Sequence, residues 1–76
     1  MKDLLTYIAR NLVEHPDAVE VTETDDNGTT LLELRVDPND MGKVIGRQGR
    51  IAKEIRVLMR SAAQRQGKRV SVEIID

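Results

Sequence analysis

Two glycines three residues apart, Gly46 and Gly49, lie in the segment KVIGRQGRIAKEIRVLMR, residues 43–60, ringed by Lys43, Arg47, Arg50, Lys53, Arg56 and Arg60. Glycine admits backbone angles that other residues resist, and its missing side chain lets another backbone come close. A helix starting after Gly49 would aim its first amides and the positive end of its dipole at the turn. Arg47 and Arg50 flank that point. Together these features can cradle a phosphodiester backbone. The plain alternative is a short connection between two helices, because G-x-x-G alone is a weak signal.

Charge along the chain bears on that choice. Residues 1–42 hold Lys2, Arg10 and Arg35 against ten carboxylates, a net of -7, whereas residues 43–69 hold nine cations against Glu54 alone, a net of +8. The overall charge of -1 conceals this step. Such asymmetry fits a polyanion-binding face. A solvated basic helix would look similar, since Lys and Arg are good helix formers. Yet Lys53, Arg56 and Arg60 stand three and four apart, where like charges weaken a helix.

Other chemistries find little support. The single histidine, His15, precedes Pro16 and suits a surface or capping role. There is no cysteine, hence no disulfide and no thiolate metal site. Ser61 and Ser71 have no evident base partner, and the carboxylates are scattered over hairpin and turns. The glycines lack the GK[ST] of a P-loop and the third glycine of a dinucleotide fingerprint. The expectation is a protein that is not an enzyme and needs neither cofactor nor metal. MKDLLTYIARNLVEH carries Asp3 and Arg10 within its apolar pattern. It reads as neither signal peptide nor membrane span, so a cytoplasmic location is expected.

The elements that must hold the turn follow from periodicity. Seventy-six residues make one small domain, which buries only about 60% of its unfolded surface. Leu4, Leu5, Ile8 and Leu12 have helical spacing, with Asp3 available as a cap and Pro16 expected to stop the helix near His15. AVEVTET alternates, Asn27-Gly28 marks a tight hairpin turn, and TTLLELRV sets Leu32, Leu34 and Val36 against Glu33 and Arg35. Asp37 and Pro38 start a short helix over Met41, Val44 and Ile45, which Gly46 ends. A longer helix then runs to about Gln66, with Ile51, Ile55, Leu58 and Ala62 as the predicted buried stripe and Ala52 and Met59 at its margin. Gly67 suits its C-cap, and RVSVEII is a last strand. The order α-β-β-α-α-β predicts an α+β two-layer sandwich, a three-stranded mixed sheet with three helices on one face. Strand order stays open.

DMGKVIGRQGRIAKEIRVLM, set between α-β-β and a final β, resembles the core of a KH domain of type II. The resemblance covers essentially the whole chain. It implies that Gly46, Arg47, Gln48 and Gly49 form a loop clamping single-stranded RNA. It places Val44, Ile45 and Ile51 in an aliphatic base groove, and Arg35 and Val36 on the strand edging it, while the charge around the turn adds Lys43, Arg50 and Lys53 as expected RNA contacts. It further implies an RNA chaperone or post-transcriptional regulator linked to cell shape. The implied partner is a second copy or a larger KH-containing protein of the Jag/KhpB type. Composition agrees on one point: Tyr7 is the only aromatic residue, so modules that stack bases on aromatic rings are excluded.

A protein-interaction module is the competing reading. On a helical wheel Val57 falls opposite the buried stripe, among Arg50, Lys53 and Arg60, where it is either an ordinary exposed valine or the seam of a dimer.

Overall fold

The computed structural model describes residues 1–76. In chain order the elements are α1 (Lys2–Leu12), β1 (Glu20–Asp26), β2 (Thr29–Arg35), α2 (Met41–Ile45), α3 (Arg50–Arg65) and β3 (Arg69–Ile75). Short 3-10 turns occupy Pro16–Ala18, Pro38–Asp40 and Arg47–Gly49. The sheet has the order β1-β2-β3. β1 and β2 pair antiparallel, with Val21 opposite Leu34 and Asp25 opposite Thr30. β2 and β3 run parallel, with Leu32 beside Val72 and Leu34 beside Ile74. This is the mixed, helix-covered sheet expected of a type II KH fold.

Asn27 and Gly28 both take positive φ, 51° and 84°, as a two-residue turn matching the strand twist requires. β1 buries only Val21, and its residues from Thr22 to Asp26 are exposed. The core lies between sheet and helices: Leu5 and Ala9 of α1, Val44 of α2, Ile55 and Met59 of α3 meet Val19, Val21, Leu32, Leu34 and Val72. At the end of α3, the amide of Lys68 bonds to the carbonyl of Ala63 at 2.8 Å and that of Gly67 to Gln64 at 3.0 Å. With Gly67 at φ 68°, this double closure is a Schellman cap. It turns the chain straight into β3.

Three local expectations are corrected. α1 stops at Leu12 rather than near His15, because Val13 is already extended at φ -99° and ψ 163°. Asp3 lies inside the first turn of α1, and Met1 holds the cap position. The buried stripe of α3 is Ala52, Ile55, Met59 and Ala63. It is rotated by one residue from the prediction, and Leu58 is 56% exposed. Hydropathy could not choose between the two stripes, since Ile51/Ala52, Leu58/Met59 and Ala62/Ala63 are apolar on both sides. The small Ala52 and Ala63 let the helix backbone approach the layer beneath, and close packing decides the rotation.

Candidate nucleic-acid interface

Between β2 and the glycine turn, Asp37 accepts a hydrogen bond from the Asn39 amide at 2.8 Å and so caps the Pro38–Asp40 turn. α2 then runs for five residues, anchored by Val44, which is fully buried. The Gly46 amide closes it on the Gly42 carbonyl at 2.9 Å. At φ 75° and ψ 177°, Gly46 occupies a region open essentially to glycine alone. A Cβ there would also lie 2.9 Å from Ile51 Cβ. Gln48 and Gly49 follow in the left-handed region, at φ 58° and 74°, and the Gly49 amide bonds back to the Gly46 carbonyl at 3.2 Å. The chain has reversed, and α3 begins.

The two glycines play unlike parts. Gly46 is pressed against Ile51, whereas a Cβ at Gly49 would meet nothing within 4 Å. No side chain caps the first turn of α3, so its dipole end opens toward that space. Arg47, Gln48 and Arg50 are exposed around it, with Arg50 Nη2 donating to Gln48 Oε1 at 3.4 Å. Of the nine cations between 43 and 69, only Lys43 has a carboxylate partner, Glu14, at 3.6 Å. The loop is an open, positively charged notch.

The other candidates divide. Lys53 and Arg60 are exposed on α3, and Ile45 is exposed beside the loop. Ile51 is half-buried against the core and Gly46. Val44 lies wholly in the core, so its side chain supports the surface from below and offers none itself. Arg35 ends β2 with an exposed side chain, and Val36 is half-buried just beyond it. Arg56 has a structural duty: its Nε donates to the Val72 carbonyl of the edge strand β3 at 3.2 Å. Val57 is 50% exposed on the outer side of α3, next to Leu58, in a shallow groove shared with Arg50, Lys53 and Glu54.

Sequence reasoning missed Asp40. This carboxylate is buried and receives three donors from the stretch after α1, including the ring of His15. Twenty-five residues separate His15 from Asp40, and no spacing rule joins them.

A family profile described as KhpA/KhpB, KH domain, matches residues 2–74. The chain is 56% identical over 75 residues to the RNA-binding protein KhpA of Clostridium acetobutylicum, covering 99% of this chain and all of that one. It is 53% identical to KhpA of Halalkalibacterium halodurans, with both chains covered in full. To KhpA of Aquifex aeolicus it is 45% identical, covering all of this chain and 96% of that one. Among solved structures, Era in complex with MgGDPNP and nucleotides 1506–1542 of 16S ribosomal RNA superposes with a TM-score of 0.67 at 22% identity. Era of Aquifex aeolicus bound to GDP and aluminium fluoride gives 0.66 at 21%. Each match spans 96% of this chain and 28% of the Era chain, and at such identity it speaks to the fold alone.

Proposed function

Since the chain belongs to the KhpA/KhpB family of KH domains, we propose that it binds single-stranded RNA, gripping the backbone at Gly46–Arg47–Gln48–Gly49. The observation that carries this reading is the open space over Gly49 at the uncapped start of α3, bordered by unpaired Arg47 and Arg50. Phosphate is the ligand such a notch suits, and the relatives matched over the full chain are named RNA-binding proteins. Lys43 and Lys53 extend the positive surface on either side. Ile45 and Ile51 give the bases an aliphatic rest, with Val44 beneath and Arg35 and Val36 toward the sheet. The chain acts as a binding module rather than an enzyme, in the cytoplasm, as an RNA chaperone or regulator.

One small domain reading about four nucleotides binds weakly, so a second domain would raise avidity. Val57 and Leu58, adjacent and both at least half exposed on α3, favour a second copy of the chain or a Jag/KhpB-type KH protein as that partner. Glu54, the only acid on α3, has no cation within the chain. Across an antiparallel pair of these helices it meets the partner's basic face.

Replacing Arg47 and Gln48 together by Asp tests the loop. Both side chains are exposed, and Asp tolerates the left-handed angles of position 48, so stability should change by no more than about 1 kcal/mol. RNA affinity should fall at least about tenfold, roughly 1.4 kcal/mol. A double variant that binds like the parent would reduce the turn to a connector.

A further inference from the structure

Asp40 is 1% exposed and stands where the chain enters α2. The Glu14 amide donates to its Oδ1 at 3.3 Å, and the His15 amide to its Oδ2 at 3.0 Å. The Nδ1 of His15 lies 3.0 Å from the same Oδ2. One turn further on, Lys43 meets Glu14. The connector leaving α1 thus holds the helix that delivers the loop. With five residues, α2 has no stability of its own. Its anchors are Val44 in the core and this cluster, and Gly46 carries any tilt of α2 into the turn.

The two partners differ in their access to water. The His15 side chain is 51% exposed, so its proton exchanges freely, while the carboxylate it faces is sealed. Burial would push the Asp40 carboxyl up, but the hydrogen bonds from the imidazole and the two amides outweigh it and hold the group below its usual range. His15 is raised, first by its hydrogen bond to Asp40, then by the charges of Asp37, Asp40 and Glu14, with burial opposing. Those carboxylates, and Lys43 engaged by Glu14, are the charged groups around it.

We propose that His15 and Asp40 form a proton-sensitive latch that positions α2, and with it the Gly46–Gly49 loop, for RNA; this rests on the RNA-binding reading of that loop. With the imidazole charged, an ion pair sealed only on its Asp40 side ties connector to helix. With it neutral, only an ordinary hydrogen bond remains, about half as strong. A histidine raised on folding contributes fully below its unfolded value of about 6.5 and loses that contribution as pH climbs through the folded value. A carboxylate lowered on folding contributes above its unfolded value of 3.8. The latch is therefore tightest between these two values and slackens as pH climbs through the raised His15 value. Reciprocity demands that RNA, if it prefers the latched form, raise the His15 pKa in turn.

His15 is the only histidine, so its ring resonances report alone. They should be titrated by NMR with and without a short single-stranded RNA, at raised ionic strength to screen the phosphates. RNA should raise the His15 pKa, and affinity should fall about threefold between a pH of about 6 and about 8. His15→Gln should keep the parent's circular dichroism and bind equally at both pH values. Asp40→Asn should return the His15 pKa toward its ordinary value and abolish the response to RNA. A His15 pKa indifferent to RNA, or a response that survives Asp40→Asn, overturns the latch. If the parent binds no RNA at any pH, the loop reading falls, and amide exchange judges the latch separately. Exchange over α2 and the loop should then rise more steeply with pH in the parent than in His15→Gln, and equal slopes would end the proposal.

Discussion

At Gly46 the chain leaves α2 through backbone angles that a side chain cannot share, with Ile51 pressed against the place where a Cβ would go. Gly46→Ala combines a strained conformation with a clash and should cost about 3 kcal/mol or more. A domain of this length holds roughly 4–11 kcal/mol in all, so melting should drop by more than about 10 °C. Gly49→Ala meets only the left-handed penalty of about 1–2 kcal/mol. Its methyl group stands in open space, where it should block an approaching backbone. That variant should stay folded and lose RNA affinity. Calorimetry and binding titration separate the two, and equal melting temperatures would contradict the division of roles between the glycines.

At the scale of the elements, α3 faces two ways. Ala52, Ile55, Met59 and Ala63 bury one side, while Val57 and Leu58 break the basic surface of the other. Val57→Glu and Leu58→Glu alter exposed positions and should change stability by no more than about 0.5 kcal/mol. Either should shift sedimentation toward monomer with an unchanged circular dichroism spectrum. A parent already monomeric at high micromolar concentration would count against pairing through α3. The element order and the hairpin were legible in the sequence because turn glycines, Pro38 and alternation speak locally. The rotation of α3 was not, since apolar neighbours flank each buried position. Strand order, the burial of Val44 and the meeting of His15 with Asp40 depend on contacts between distant segments, which no local pattern encodes. Of the candidate site, the tight turn from Gly46 to Gly49 was readable from its glycines, and the contacts of Asp40 and Glu14 behind it were not.

The whole molecule is electrically divided. Residues 1–42, which include the hairpin, carry a net of -7, and residues 43–69, from the end of α2 through the loop and α3 to the start of β3, carry +8. A basic surface this extended could attract any nucleic acid diffusely, whereas a loop that tracks about four nucleotides neutralises only about 3 phosphates, for a slope near -2 in log K against log salt. Fluorescence titration over a range of salt distinguishes them. The expected result is that shallow slope together with preference for single strands over duplex. A slope near -7, or equal affinity for both, would assign the binding to the field of the whole face.

β1 contributes almost nothing to the core beyond Val21, the other buried residues of the hairpin being Leu32 and Leu34 at the β2 end away from its turn, and Thr30 pins the far end of the hairpin through Asp25 at 3.0 Å. Its tip, Asn27–Gly28, lies at the end of β2 opposite the one that leads into α2, about 23 Å of strand away. The tip of the hairpin is therefore a handle. A dye, a surface tether or an inserted domain attached at such a tip is the kind of change a fold absorbs, and here it would stand at the far end of β2 from the proposed RNA-binding loop.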